Sequence, residues 1–261
     1  MNDYFIIKSI FSPNDKIFAS TFSSLINLYE NNISNIDIFL IGWVTNGDNK
    51  KKIKEYTKKH KKINTRIEFW NENYGKYYLF NKINKYISKK YIMTKNMLYF
   101  DHDIIILSFS DMIIISEKLI NFEVDDKKIG LLVFNQKGDS RHQIDIYDNM
   151  TYINKEKVLY SKNMNIMSIG MGCFCISTEC FLLCTPLDNI SVYGMDDYNM
   201  CLNITKNNYN IIITVDVSIY HPHYYDEKYK NWKNDMVKKI IENNITYDES
   251  IKNSMIFFKK L

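Results

Sequence analysis

The sequence predicts an α/β fold, a mostly parallel sheet flanked by helices, with a helical extension at the C-terminal end. Three observations carry this reading. Apolar, β-rich runs alternate with segments of helical periodicity through the first hundred residues. The early runs close on Pro, Asn, Gly and Asp, which break strands and start helices. The order strand, helix, strand, helix, strand is that of parallel strands joined by crossover helices.

Tyr4 to Ile10 is the first such run, ending in Phe11-Ser12-Pro13-Asn14-Asp15. Ile17 to Tyr29 then carries Phe18, Phe22, Leu25, Ile26 and Tyr29 near helical spacing. A second strand, Ile36 to Val44, ends in Thr45-Asn46-Gly47-Asp48, and Asn49 to His60 follows as a basic, exposed helix. Thr65 to Trp70 is a third strand. Tyr78 to Tyr91 is a helix, with Leu79, Ile83 and Ile87 every fourth residue. Met97 to Leu107 is a further apolar run, a strand broken near the middle of the run by Asp101 and Asp103.

Beyond it, Ile129 to Phe134 is a strand and Gln136 to Asn154 a polar stretch, a mobile loop or an acceptor-side insertion. Ser168 to Ser177 is an apolar strand with two glycines, suited to close approach by another backbone or a ligand. A helix over Tyr198 to Ile204 and a strong strand over Asn210 to Tyr220 follow. From Asp226 onward Tyr229, Trp232, Met236 and Ile240 form one helical stripe. The reading divides the chain into an α/β domain, 1–225, and a C-terminal helical extension, 226–261, packing on it.

The 261 residues suffice for a sizeable core. A net charge of +4 with dispersed lysines argues against nucleic acid as a partner. No apolar run approaches the roughly 20 residues of a membrane span. No opening segment resembles a secretion signal. Five cysteines without paired zinc spacing read as buried thiols of a reducing compartment, so the expected location is cytoplasmic. The terminal Phe257-Phe258-Lys259-Lys260-Leu261 adds an expectation of peripheral membrane contact.

The chemistry concentrates in Tyr99-Phe100-Asp101-His102-Asp103-Ile104. On a strand, Asp101 and Asp103 share a face. Two carboxylates there repel unless a cation lies between them, and a hard divalent ion bridging to phosphate oxygens is the simplest resolution. The competing reading is a strand-end turn that caps the next segment. Ligands of such sheets bind beyond the carboxyl ends of the strands, where Asn14, Asn46 and the aspartates all fall.

Taken in order, these segments resemble the GT-A glycosyltransferases, whose fold is a Rossmann-like α/β sheet. The resemblance spans roughly residues 4 to 223 and rests on five weak matches in the right sequence. Ser12-Pro13-Asn14-Asp15 stands for a P-x-x-N-type loop, and Thr45-Asn46-Gly47-Asp48 for an Asp-Gly-Ser-like turn. Gly75-Lys76 with Phe80-Asn81-Lys82 stands where a Gly- and Asn-containing segment precedes the D-x-D. Tyr193-Gly194-Met195-Asp196-Asp197 loosely matches an acidic pair, and Ser218-Ile219-Tyr220-His221 a strand ending in histidine. Asn46 replaces the usual Asp, and Asp196-Asp197 the commoner Glu-Asp. The pattern is family-2-like, with some family-8-like features.

The resemblance implies a metal-dependent transfer of a sugar from a nucleotide-diphosphate sugar, UDP-linked, to a saccharide or glycoconjugate acceptor. Inversion at the anomeric carbon is expected. A retaining family-8-like enzyme and a sugar nucleotidyltransferase are the alternatives. It implies Mn2+ or Mg2+ as cofactor, with Asp101, Asp103, His221 and His223 as metal ligands and His221 favoured over His223. Asp197 is expected as the base that deprotonates the acceptor, with Asp196 beside it, and an N-cap role is the competing reading for both. Ser12, Pro13, Asn14, Thr45, Asn46, Lys76, Asn81 and His102 are the expected nucleotide-binding residues.

Overall fold

The structure, a computed structural model, describes residues 4–12, 14–31, 36–43, 45–71, 75–90, 96–137, 150–160, 172–185 and 196–222; at 75, 77, 88–90, 196 and 198 it describes the backbone alone. The first half follows the expected alternation: β1 (Tyr4–Phe11), α1 (Asp15–Glu30), β2 (Asp37–Trp43), α2 (Gly47–Lys59), β3 (Asn64–Trp70), α3 (Gly75–Lys90) and β4 (Asn96–Phe100). Its boundaries have chemical causes. Asn14 caps α1 by accepting a hydrogen bond from the Ile17 amide at 3.0 Å, and Asn46 caps α2 through the Asn49 amide at 2.8 Å.

The second half contains β5 (Ile105–Ile106), α4 (Phe109–Leu119), β6 (Glu123–Val124), β7 (Lys127–Lys137), β8 (Met150–Ile153), β9 (Glu156–Tyr160), β10 (Cys173–Ser177), α5 (Thr178–Cys184), α6 (Asp196–Lys206) and β11 (Asn210–Tyr220). The sheet runs β3-β2-β1-β4-β10-β7-β11-β9-β8. Strands β3, β2, β1 and β4 are parallel, as expected. From β10 onward the sheet becomes mixed: β10 is antiparallel to both β4 and β7, whereas β11 pairs with β7 in parallel.

Helices cover both faces. Tyr4, Ile6 and Ile10 of β1 pack with Phe18 and Leu25 of α1, Ile53 of α2 and Met112 and Ile115 of α4. The alternate residues Phe5 and Ile7 pack with Leu79, Phe80 and Ile83 of α3, Phe181 of α5 and Met200 of α6. Each fully buried Ile, Leu or Phe contributes roughly 2 kcal/mol, so a one-residue slip of β1, which would exchange the faces, is strongly disfavoured. Lys8 lies among the even-numbered residues, on the α1 face.

Three segments differ from expectation. The run Met97 to Leu107 is not one strand: β4 stops at Phe100, the chain turns through Asp101–Ile104, and only Ile105–Ile106 is extended again. Helix α4 follows at once, its Ser108 cap accepting from the Asp111 amide at 3.3 Å. Within the polar stretch expected as a loop, Met150–Ile153 is a strand paired with β9, joined through Asn154 and Lys155 at φ 48° and 68°. Residues 138–149 lie outside the described residues, as does the C-terminal extension, 226–261. All five cysteines are buried free thiols. Among the described residues no helix is long and apolar enough to cross a membrane.

Candidate active site

Strand order creates the site's location. The sheet grows from β1 outward to β2 and β3 on one side and to β4 on the other, so the chain reverses direction between β1 and β4. The crevice at such a reversal, beyond the carboxyl ends, receives ligands. The acidic turn Asp101-His102-Asp103 stands there.

The turn is held from several sides. The Asp101 amide donates to the Gly172 carbonyl at 2.8 Å, and the Ile104 amide reaches back to the Asp101 carbonyl at 3.4 Å. Lys8 Nζ donates to the Asp101 carbonyl from beneath and to Ser24 Oγ at 2.7 Å. Phe11, at the end of β1, meets the His102 ring edge-on at 5.5 Å.

Because the motif is a turn and not a strand, the two carboxylates do not follow strand alternation. Each has its own partners. Asp101 accepts from the Tyr99 hydroxyl at 2.6 Å and pairs with Lys76 Nζ at 3.2 Å. Burial raises the Tyr99 pKa well above its ordinary value, so that hydroxyl stays a donor. The same Lys76 ammonium lies 3.2 Å from Asp197 Oδ1, in the first turn of α6. Lys76 therefore bridges the acidic turn to the expected base.

Asp103 is buried, its side chain only 6% exposed. Its Oδ2 is 3.7 Å from His102 Nε2, and its Oδ1 is 3.2 Å from His221 Nε2, at the end of β11. Burial alone would raise the Asp103 pKa, but the charge of a protonated His102, a hydrogen bond and charge from a protonated His221, and the Lys8 ammonium outweigh it and hold the carboxyl below the usual range. Burial also lowers the pKa of His102, against the raising effect of Asp103 and Asp101. The Lys8 ammonium is itself pulled down by burial to about 8, against the raising effect of Asp103 and Asp101.

These residues suit a divalent cation in kind. His221 Nδ1 is 3.1 Å from Gln136 Oε1, an arrangement that places a proton on Nδ1. In the neutral ring Nε2 then turns a lone pair toward Asp103 Oδ1, which is buried and in that tautomer has no hydrogen-bond donor among the described residues. Two acceptors 3.2 Å apart need a proton or a cation between them. Ligands about 2.1–2.2 Å from one ion at right angles stand roughly 3 Å apart, so the spacing agrees. Among the described residues no three His, Cys, Asp or Glu side chains are already gathered for a metal. The Asp101 carboxylate is instead engaged by Lys76.

Ser12, Asn14, Thr45 and Asn46 reach the same end of the sheet through topology, after β1 and β2. Asn14 and Asn46 spend a side-chain oxygen on capping, and Thr45 Oγ1 donates to the Trp43 carbonyl at 3.2 Å. Ser12 Oγ is buried without a hydrogen-bond partner among the described residues. Asn81 sits part-buried on α3. Pro13 and His223 lie outside the described residues, and for Asp196 only the backbone is described. Sequence reading missed Lys8, Ser24, Tyr99 and Gln136. Lys8 did leave a signal, as the one charge in the apolar run Tyr4 to Ile10.

The sequence matches no protein-family model and no curated protein. Solved structures share its architecture. The mannosyltransferase PcManGT of Pyrobaculum calidifontis, in complex with GDP-Man and Mn2+, aligns with 97% of the chain at a TM-score of 0.62 and 10% identity. S. aureus TarS aligns with 97% at 0.57 and 12%, and GalNAc-T7, with UDP, GalNAc and Mn2+, with 85% at 0.56 and 11%. The chain spans 68% of the first of these proteins and 42% and 43% of the other two. Mixed sheet, helices on both faces and an acidic turn after the fourth strand together give this chain the GT-A fold.

Proposed function

We propose that the protein is a metal-dependent glycosyltransferase that moves a sugar from a nucleotide-diphosphate sugar, UDP-linked by first expectation, to a saccharide or glycoconjugate acceptor. The observation that carries this reading is the buried Oδ1 of Asp103 standing 3.2 Å from His221 Nε2 beyond the carboxyl end of β4. The neighbours' GDP-Man, UDP and Mn2+ support the donor class and manganese. Five buried free thiols support a cytoplasmic location.

Asp103 and His221 would hold the cation, with Asp101 contributing once Lys76 moves to the diphosphate. Such a cation supplies Lewis-acid stabilisation of the negative charge gathering on the leaving diphosphate. The protein's own groups do the rest. Tyr99 fixes the Asp101 carboxylate, and Gln136 fixes the His221 tautomer. Asp197 takes the proton of the acceptor hydroxyl as its oxygen bonds to the anomeric carbon and the bond to the phosphate oxygen breaks. Attack opposite the leaving group inverts the anomeric centre.

The test is release of nucleotide from a panel of UDP- and GDP-sugars with Mn2+ or EDTA, followed by the anomeric configuration of the product. Manganese-dependent release with inverted product supports the reading. Release of pyrophosphate from nucleoside triphosphate and sugar phosphate would replace it with nucleotidyl transfer.

A further inference from the structure

We propose that Lys8 is the positioning residue of the acidic turn, a built-in cation that ties residues 101–104 to the sheet before any ligand arrives. Lys8 lies mid-strand in β1, level with Leu40 of β2 and Phe100 of β4, and is 1% exposed. Its Nζ donates to the Asp101 carbonyl and to Ser24 Oγ. Ser24 passes the connection on, its hydroxyl donating to the Ile104 carbonyl. One ammonium thus grips the first carbonyl of the turn directly and the last through a single hydroxyl.

Helix α1 extends the grip. Asn27, one turn after Ser24 on the same face, donates through Nδ2 to the Ile106 carbonyl at 3.1 Å and accepts the Ile106 amide through Oδ1 at 2.8 Å. Lys8, Ser24 and Asn27 together satisfy three carbonyls and one amide of the segment carrying both aspartates. A methionine would fill the volume of Lys8 among Ile6, Ile10 and Leu25 without burying a charge. What the lysine adds is the link to the turn and a fixed positive charge beneath two carboxylates. An acidic loop so tethered keeps its shape as ligand comes and goes, which is the preorganisation a catalytic constellation needs. The consequence for turnover rests on the proposed sugar transfer; the tethering does not.

Hydrogen–deuterium exchange of the full-length chain tests the tether in Lys8→Met and Ser24→Ala. Exchange at the Ile104 and Ile106 amides should rise at least about tenfold in both variants, with amides of β2 unchanged. Unchanged protection of the turn in folded variants overturns the proposal, and so does an equal rise in β2. Ser24→Ala keeps the charge, so it decides the matter even if Lys8→Met does not fold. Where donor turnover is measurable, Ser24→Ala should lower kcat about tenfold with KM within about twofold, and Ser24→Thr should restore it. A raised KM with intact kcat contradicts positioning. Absence of turnover in the parent protein removes the sugar-transfer reading and leaves the exchange result to decide the tether.

Discussion

Replacing Lys8 with methionine removes a buried charge at nearly constant volume, and stability should respond in a pH-dependent way. Burial pulls the Lys8 ammonium from its ordinary 10.5 down to about 8. Below pH 8 the amine is protonated in both folded and unfolded chains, and the fold carries the whole cost. At about 1.4 kcal/mol per pH unit that cost is about 3 kcal/mol. Between pH 8 and 10.5 the unfolded chain holds a proton that the folded chain has released, so this contribution to stability rises with pH. Above 10.5 the cost is gone. The parent protein should therefore gain about 2 kcal/mol on the variant between pH 7.5 and 9.5, roughly 5 °C in relative Tm for a chain of this size. Urea titrations of both proteins at pH 7.5, 8.5 and 9.5 measure the difference. Taking the variant as reference cancels Tyr29 and Tyr99, whose raised pKas act oppositely at high pH. Parallel pH profiles would refute the reasoning.

Lys76→Met deprives Asp101 and Asp197 of the cation they share at 3.2 Å. All three groups are partly solvated, so urea unfolding should shift by no more than about 1 kcal/mol, whereas donor turnover should fall at least about tenfold. Asn14→Ala and Asn46→Ala each remove a helix cap and should cost about 1 kcal/mol in the same titration. Gly130→Ala places a Cβ 2.6 Å from Cys180 Sγ and 2.9 Å from Tyr209 Cβ, and should destabilise the fold by roughly 1–3 kcal/mol.

The first six elements were legible because α1 and α2 start on capping asparagines, α3 repeats its apolar residues every fourth position and each strand carries an apolar run. Asn14 and Asn46 both mark and make the ends of loops. The second half hid its signals. Helix α4 carries Ile113-Ile114-Ile115, a β-branched run that reads as strand, while Ser108 caps it as a helix. The β6–β7 and β8–β9 turns use Asp125-Asp126 and Asn154-Lys155 at positive φ without a glycine, so the usual hairpin mark is missing. No local pattern announces that β10 enters antiparallel between β4 and β7, which makes the sheet mixed.

Which candidate residues gather at the acidic turn was legible in part, and their arrangement less so. Asp101, Asp103, Lys76, Asp197, His102 and His221 do converge. Alternation along an unbroken strand would have set the two aspartates side by side. The turn after Phe100 instead sends Asp101 to Lys76 and Asp103 to His221, because Lys8 and Gly172 bind the backbone there. Those partners come from β1 and from the residue before β10, too distant in sequence for any local pattern to reveal.

Calorimetric titration of UDP and GDP into the parent protein and Asp103→Asn, each with Mn2+ or EDTA, bears most directly on the cation held between Asp103 and His221. The parent should bind one nucleotide at least about tenfold more tightly with Mn2+ than with EDTA, and Asp103→Asn should abolish that gap. Equal binding in EDTA, or a manganese effect that survives the substitution, would contradict it.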